Sequence, residues 1–170
     1  SLDKLKSLVA EGLDLAKLVL EAGKQTLRKD AELLTRLPLA ANDMGTLQGK
    51  VLDLYDGQLR VRRPDGSVAL DFPASDYARY LIEQALPHSY GKQVVLRDST
   101  GATQTYRVGP LARLNCAEST GTPLADAALA EFKSVCGDPS QQTVAGHWAR
   151  LIELLHCVEK AQAMLNDPDV

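Results

Sequence analysis

The sequence predicts an α+β protein, mainly α, in which amphipathic helices pack with small antiparallel β-hairpins or a meander. Three observations carry this expectation. Apolar residues recur at spacings of three and four through both ends of the chain, the period falls to two between Thr46 and Phe72, and Asp-Gly and Pro-Asp-Gly punctuate that alternating stretch. The 170 residues, 45% hydrophobic and 24% charged, suit one compact domain with its own core. Within it we expect an N-terminal helical segment over 1–45 and a β-meander over 46–72. Residues 73–170 then hold a helix, a β-hairpin, an irregular loop and two long helices.

In chain order, Leu2, Leu5, Val9, Leu13, Ala16 and Leu20 line one face of a first helix. Gly23 is a stop that can be overridden, because Gln25 to Leu37 is again helix-compatible, with Leu33 and Leu34 inside it. The helix ends before Pro38, since the residue preceding a proline avoids the helical region. Three antiparallel strands follow, on Val51 to Tyr55, Leu59 to Val61 and Val68 to Phe72. They are joined at Asp56-Gly57 and Asp65-Gly66, where glycine accepts a positive φ. Pro73 to Asp76 opens a short helix through Tyr77, Leu81 and Ala85, which Pro87 ends. Val94 and Leu96, then Thr105 to Val108, form a second hairpin about Thr100-Gly101. Residues 109–121 read as irregular. Thr122 and Pro123 start a helix carrying Leu124, Ala128, Phe132 and Cys136, which Gly137 stops. The last helix runs from about Gln141 to Asn166, with Val144, Trp148, Leu151, Leu155, Val158 and Leu165 at helical spacing.

Composition removes several functions. Nineteen basic and 22 acidic residues leave a net charge of −3 without a basic run, so no nucleic-acid partner is expected. No apolar run approaches the roughly 18 residues that span a bilayer, and no membrane association is expected. Three cysteines do not make a disulfide framework and point to a reducing, cytoplasmic setting. The chain opens on Ser1-Leu2 without a methionine and reads as a piece of a longer polypeptide.

The residues taken alone supply no catalytic, cofactor or metal constellation. His147 and His156 stand nine apart on one helix, which turns them to opposite faces. His156 and Cys157 are adjacent and diverge by about 100°. Cys136 and Cys157 are expected to be buried small apolar groups. Cys116 lies in the irregular segment, where it is either a packed thiol or, less simply, the nucleophile of a thiol-dependent enzyme. His88 reads as a solvent-facing turn residue, while Asp76, Asp126 and Glu131 read as capping or solvated carboxylates.

Tyr106-Arg107-Val108-Gly109-Pro110-Leu111-Ala112-Arg113-Leu114-Asn115 resembles a signature of the large subunits of nickel-iron hydrogenases, especially the cytoplasmic class coupled to NAD(P). Leu54 to Arg60 with Pro64-Asp65-Gly66, Pro87 to Lys92, Gly121 to Ala125, Ala149 to Glu153 and Asp167 to Val170 are similar to further segments of that family. The resemblance covers roughly residues 44–170. It implies a parent that oxidises hydrogen reversibly and passes electrons to a carrier, with diaphorase-type partners and an iron–sulfur small subunit. It also implies a nickel-iron centre held by two pairs of cysteines, one near each end of the parent polypeptide. Neither pair occurs here, so Cys116, Cys136 and Cys157 are not ligands and this chain itself is expected to carry no cofactor. Residues 93–98 depart from the family pattern. The chain is thus expected to be a scaffold and subunit-contact fragment, inactive alone, and to self-associate through the uncovered face of its last helix at Trp148, Leu151 or Leu155. The alternative is a non-catalytic helical protein-interaction module.

Overall fold

In the computed structural model the described residues are 1–29, 32 and 37–168. They form helices and small, mostly antiparallel sheets, an α+β fold. The chain divides into two compact units, Ser1–Leu39 with Ser119–Val170, and Ala40–Glu118.

Among the described residues the first unit is built on the helices α1 (Leu2–Lys29), α4 (Pro123–Cys136) and α5 (Ala145–Leu165). Helix α1 runs straight through Gly23, and buries Leu13, Ala16, Leu20 and Leu27 at steps of three, four and seven. The expected continuation over Leu33 and Leu34 lies outside the described residues. Helix α4 contributes Ala128, Leu129 and Phe132 and α5 contributes Trp148, Ala149, Ile152 and Leu155. The Phe132 and Trp148 rings meet edge to face at 5.7 Å, and the Arg28 guanidinium lies 5.9 Å from the Trp148 ring centre. Lys24 is buried between Glu21 and Glu131, 2.6 Å from each, and Arg28 also pairs with Glu131. Trp148 is 0% and Leu155 2% exposed, and Leu151 is half-buried. The expected association surface on this helix is therefore corrected: α1 and α4 already cover it.

The second unit holds two sheets. Strands β1 (Asn42–Gln48), β2 (Val51–Leu52), β3 (Gln58–Arg62) and β4 (Val68–Pro73) lie in the order β2-β1-β3-β4, all antiparallel. A 3₁₀ turn (Ala74–Asp76) and the short helix α2 (Tyr77–Tyr80) lead to β5 (Leu81–Ala85), β6 (Lys92–Arg97) and β7 (Thr103–Gln104), which pair antiparallel in that order. Strand β8 (Tyr106–Arg107) returns to β1 in parallel, and α3 (Pro110–Cys116) follows. Met44, Val61, Phe72 and Leu96 form the core, with Tyr80 stacked on Phe72 at 4.2 Å.

Five details differ from expectation, each for a physical reason. Strand pairing begins at Asn42, ahead of Thr46, because β1 is flanked on both sides and its polar residues find partners. Asp56-Gly57 is no hairpin tip, since β2 and β3 both pair with β1 and not with each other. The helix opened by Pro73 ends at Tyr80, and Leu81 to Ala85 extend because β6 offers five paired positions. Tyr106 and Arg107 leave the Gly101 hairpin for β1. Residues 110–116 are helical, so Cys116 is not in a loop.

Candidate functional site

The signature-like run from Tyr106 to Asn115 builds one polar cluster, centred on a residue far from it in sequence. Alternation along β1 sends Asp43 and Gly45 to the face that α3 covers, while Met44 turns into the core. A Cβ on Gly45 would lie 2.9 Å from the Arg113 backbone, so only glycine lets α3 approach this closely. Asp43, 0% exposed, accepts hydrogen bonds from Arg107 Nε and Asn115 Nδ2, both at 2.7 Å. Arg62 donates to the Asn115 carbonyl at 2.6 Å and to the Gly66 carbonyl at 2.9 Å, tying the last turn of α3 to the β3–β4 hairpin.

The rest of the motif has equally local roles. Gly109 precedes the helix at φ 95°, a region other residues avoid, and Pro110 occupies the first turn, where its missing N–H costs nothing. Leu111, Ala112 and Leu114 are buried. Cys116 donates from Sγ to the Asp43 and Arg60 carbonyls at 3.4 and 3.5 Å. Burial, reinforced by the Asp43 charge, pushes its thiol up to about 12, so it stays protonated. That removes the thiol-enzyme reading of Cys116.

A second polar cluster sits in the helical unit. Thr122 precedes α4 in extended conformation but makes no side-chain cap; its Oγ1 instead lies 3.1 Å from Nδ1 of the buried His156. The cap comes from α5, where the Glu159 carboxylate accepts from the Leu124 and Ala125 amides at 3.0 and 2.9 Å. Asp126 accepts from the Ser119 and Thr120 hydroxyls. Burial, and secondarily Lys160, hold His156 below its ordinary value.

The remaining candidates lie apart. His88 and His147 are exposed, Asp76 faces Arg79 at 3.6 Å, and Glu131 belongs to the Lys24 and Arg28 pairs. Cys157 is exposed, contrary to expectation, because the buried sector of α5 is centred on His156 and Ile152 and leaves its neighbour outside. Cys136 is half-buried, its thiol pushed up to about 11 by desolvation. None of the three cysteines forms a disulfide, and among the described residues no group of three or more His, Cys, Asp or Glu side chains could hold a metal ion. An open cleft of about 370 Å³ is lined by Gly49, Gly57, Arg60 and Asp71, but its arginine is held by Asp71 at 2.8 Å. Asp43 and Glu159 escaped the sequence reading. The cue for Glu159 was its register, three residues beyond His156 on one helix face.

No family model matches the chain. In the solved structures, the fold superposes with a TM-score of 0.91 and 31% identity on a chain of an NAD+-reducing [NiFe]-hydrogenase in its H2-reduced state, covering 99% of this chain and 38% of that one. The chain is similar to hydrogenase subunits. Among curated relatives, a vhu subunit of the F420-non-reducing hydrogenase of Methanococcus voltae is 39% identical over 127 residues, 75% of this chain and 30% of the relative. The iron-sulfur subunit of the F420-non-reducing hydrogenase of Archaeoglobus profundus is 30% identical over 183 residues, 98% of this chain and 37% of the relative. The chain thus spans about a third of the length of the curated relatives it matches.

These relatives correct two expectations. None of them is named as a large or nickel-binding component, and one is named as an iron–sulfur component. The large-subunit expectation, and with it the nickel-iron centre implied for the parent, is therefore not retained. The expectation that the chain carries no cofactor falls on the same name. An iron–sulfur cluster takes cysteine thiolates, usually four. The described thiols do not fit one: Cys116 is a buried hydrogen-bond donor, and Cys136 and Cys157 join no ligand group. No step is derived through such a group.

Proposed function

We propose that this chain is a scaffold and subunit-contact part of a hydrogenase subunit, whose complete assembly converts hydrogen into two protons and two electrons and passes the electrons to a carrier such as NAD(P). The reading is supported above all by the superposition over 99% of the chain on a hydrogenase chain. Both polar clusters support the scaffold role, since Asp43, Arg107, Asn115, His156 and Glu159 are engaged in holding helices and strands. Partners in this reading are diaphorase-type subunits and an electron-carrying iron–sulfur small subunit, in the cytoplasm. No helix among the described residues is long and apolar enough to cross a membrane.

Co-expression of the tagged chain with the electron-transfer subunits of an NAD+-reducing hydrogenase tests this. Retention of those subunits at constant stoichiometry is expected, together with no hydrogen-dependent dye reduction by the chain alone. Failure to retain subunits that assemble with one another, or dye reduction by the isolated chain, overturns the proposal. The alternative, a non-catalytic interaction module, is favoured by one observation, an uncovered apolar seam on α1.

A further inference from the structure

The loop from Asp53 to Gly57, between β2 and β3, holds apolar side chains away from the protein. Tyr55 is 100% and Leu54 46% exposed, and Val51 of β2 beside them is 39% exposed. The loop is nevertheless fixed. Asp53 Oδ1 accepts hydrogen bonds from the Tyr55 and Asp56 amides, and Asp56 Oδ1 accepts from the Gly57 amide, each at 2.7 Å. Gly57 closes the loop at φ 133°, where a Cβ would strike the Leu47 carbonyl oxygen, so only glycine fits. Gly57 also lines the open cleft of about 370 Å³, so the projecting ring stands on a loop that ends at a concavity. Between residues 51 and 59 the only charged side chains are Asp53 and Asp56. The nearest cations in sequence, Lys50 and Arg60, are paired with Glu118 and Asp71 at 2.7 and 2.8 Å.

We propose that Leu54 and Tyr55 are the anchor by which this chain docks on another protein subunit, whose surface offers an apolar pocket for the ring and a basic rim for Asp56. The inference rests on the reading of the chain as a subunit-contact part and names where that contact is made. Three features favour a folded protein as the occupant. A tyrosine ring brings a large contact area for few rotatable bonds, and side chains of this type dominate the energy of protein interfaces. A loop already fixed by three hydrogen bonds loses little further freedom on binding. An acidic loop whose neighbouring cations are neutralised is complementary to a cationic rim and repels a nucleic-acid backbone. Tyr90, equally bare on the β5–β6 connection, makes the contrast: its neighbours His88, Ser89 and Gly91 supply neither an apolar companion nor an acidic charge.

The test is interferometry on the immobilised full chain, titrated with the purified electron-transfer subunits of an NAD+-reducing hydrogenase. The unaltered chain should bind, and Tyr55→Ala should weaken binding by roughly thirtyfold or more. Tyr55→Phe, which keeps the ring, should retain most of it, and Tyr90→Ala should bind as the unaltered chain does. Asp56→Asn keeps the acceptor for Gly57 but removes the charge, and should reduce both the affinity and its loss on adding salt. Because Tyr55 lies wholly in solvent, urea unfolding of Tyr55→Ala should match that of the unaltered chain, which separates lost docking from lost folding. Undiminished binding by Tyr55→Ala, with the unaltered chain still binding, overturns this inference and leaves the scaffold reading standing. An unaltered chain that binds none of the subunits overturns both. A dimer of the chain alone that Tyr55→Ala dissolves in sedimentation equilibrium also overturns the inference, since the occupant is then a second copy.

Discussion

Replacing Asp43 by alanine tests whether the signature-like run is structural. The carboxylate is fully buried and holds Arg107 Nε and Asn115 Nδ2 at 2.7 Å each, and the Arg107 side chain is itself 15% exposed. Removing one partner of a buried pair costs about 3–5 kcal/mol, because the remaining charge keeps its desolvation penalty. The Asn115 amide adds about 1 kcal/mol for its lost acceptor. Against a total stability of roughly 5–15 kcal/mol, Asp43→Ala should leave the chain marginal at 37 °C. Urea unfolding followed by far-UV circular dichroism measures the loss, and Arg107→Met with the double variant measures the coupling. A coupling above about 1.5 kcal/mol is expected for such a charge pair. The reasoning fails if Asp43→Ala costs less than about 1 kcal/mol, or if the two single losses add within about 0.5 kcal/mol.

Glu159→Ala uncaps α4 from a distance and should cost about 1–3 kcal/mol, with hydrogen exchange accelerating first at Leu124 and Ala125; unchanged exchange there contradicts the cap. Burial holds His156 below 6.5, so the unfolded chain takes up its proton first and stability should fall as pH drops below 6.5, while His156→Asn flattens that slope; Glu153, Glu159, Asp126 and Lys160 face the ring in both cases. The Cys116 thiol, pushed from 9.0 up to about 12, favours the folded state below pH 9, and this contribution should be lost as pH rises towards 12. At neutral pH a maleimide should label exposed Cys157 and spare Cys116, as mass spectrometry of peptides would show. We further propose that the chain unfolds as the one domain its length suggests: calorimetry should give a single transition, and two separated transitions would refute it.

What was legible in the sequence is what local physics decides. The 3.6-residue period marked α1, α4 and α5, and turn chemistry at Asp65-Gly66 and Thr100-Gly101 marked hairpins, where Gly66 and Gly101 adopt φ of 89° and 88°. Strand β1 was missed because Asn42-Asp43-Met44-Gly45 has little intrinsic β preference; pairing with β2, β3 and β8 and the cover of α3 make it a strand. Leu81 and Ala85 fit a helical step of four as well as a strand, and the pairing offered by β6 decides between them. Helix α3 did carry a cue, Gly109-Pro110, the pairing of an N-cap glycine with a first-turn proline. The polar cluster had none, because Asp43 and Asn115 stand 72 positions apart and neither has a local partner that announces the other. A run of residues that looks like a reactive signature is here occupied in holding one buried carboxylate. Variants within it should therefore act on folding before they act on any reaction, and activity lost by Arg107 or Asn115 variants of an assembled hydrogenase has to be read against soluble, folded yield.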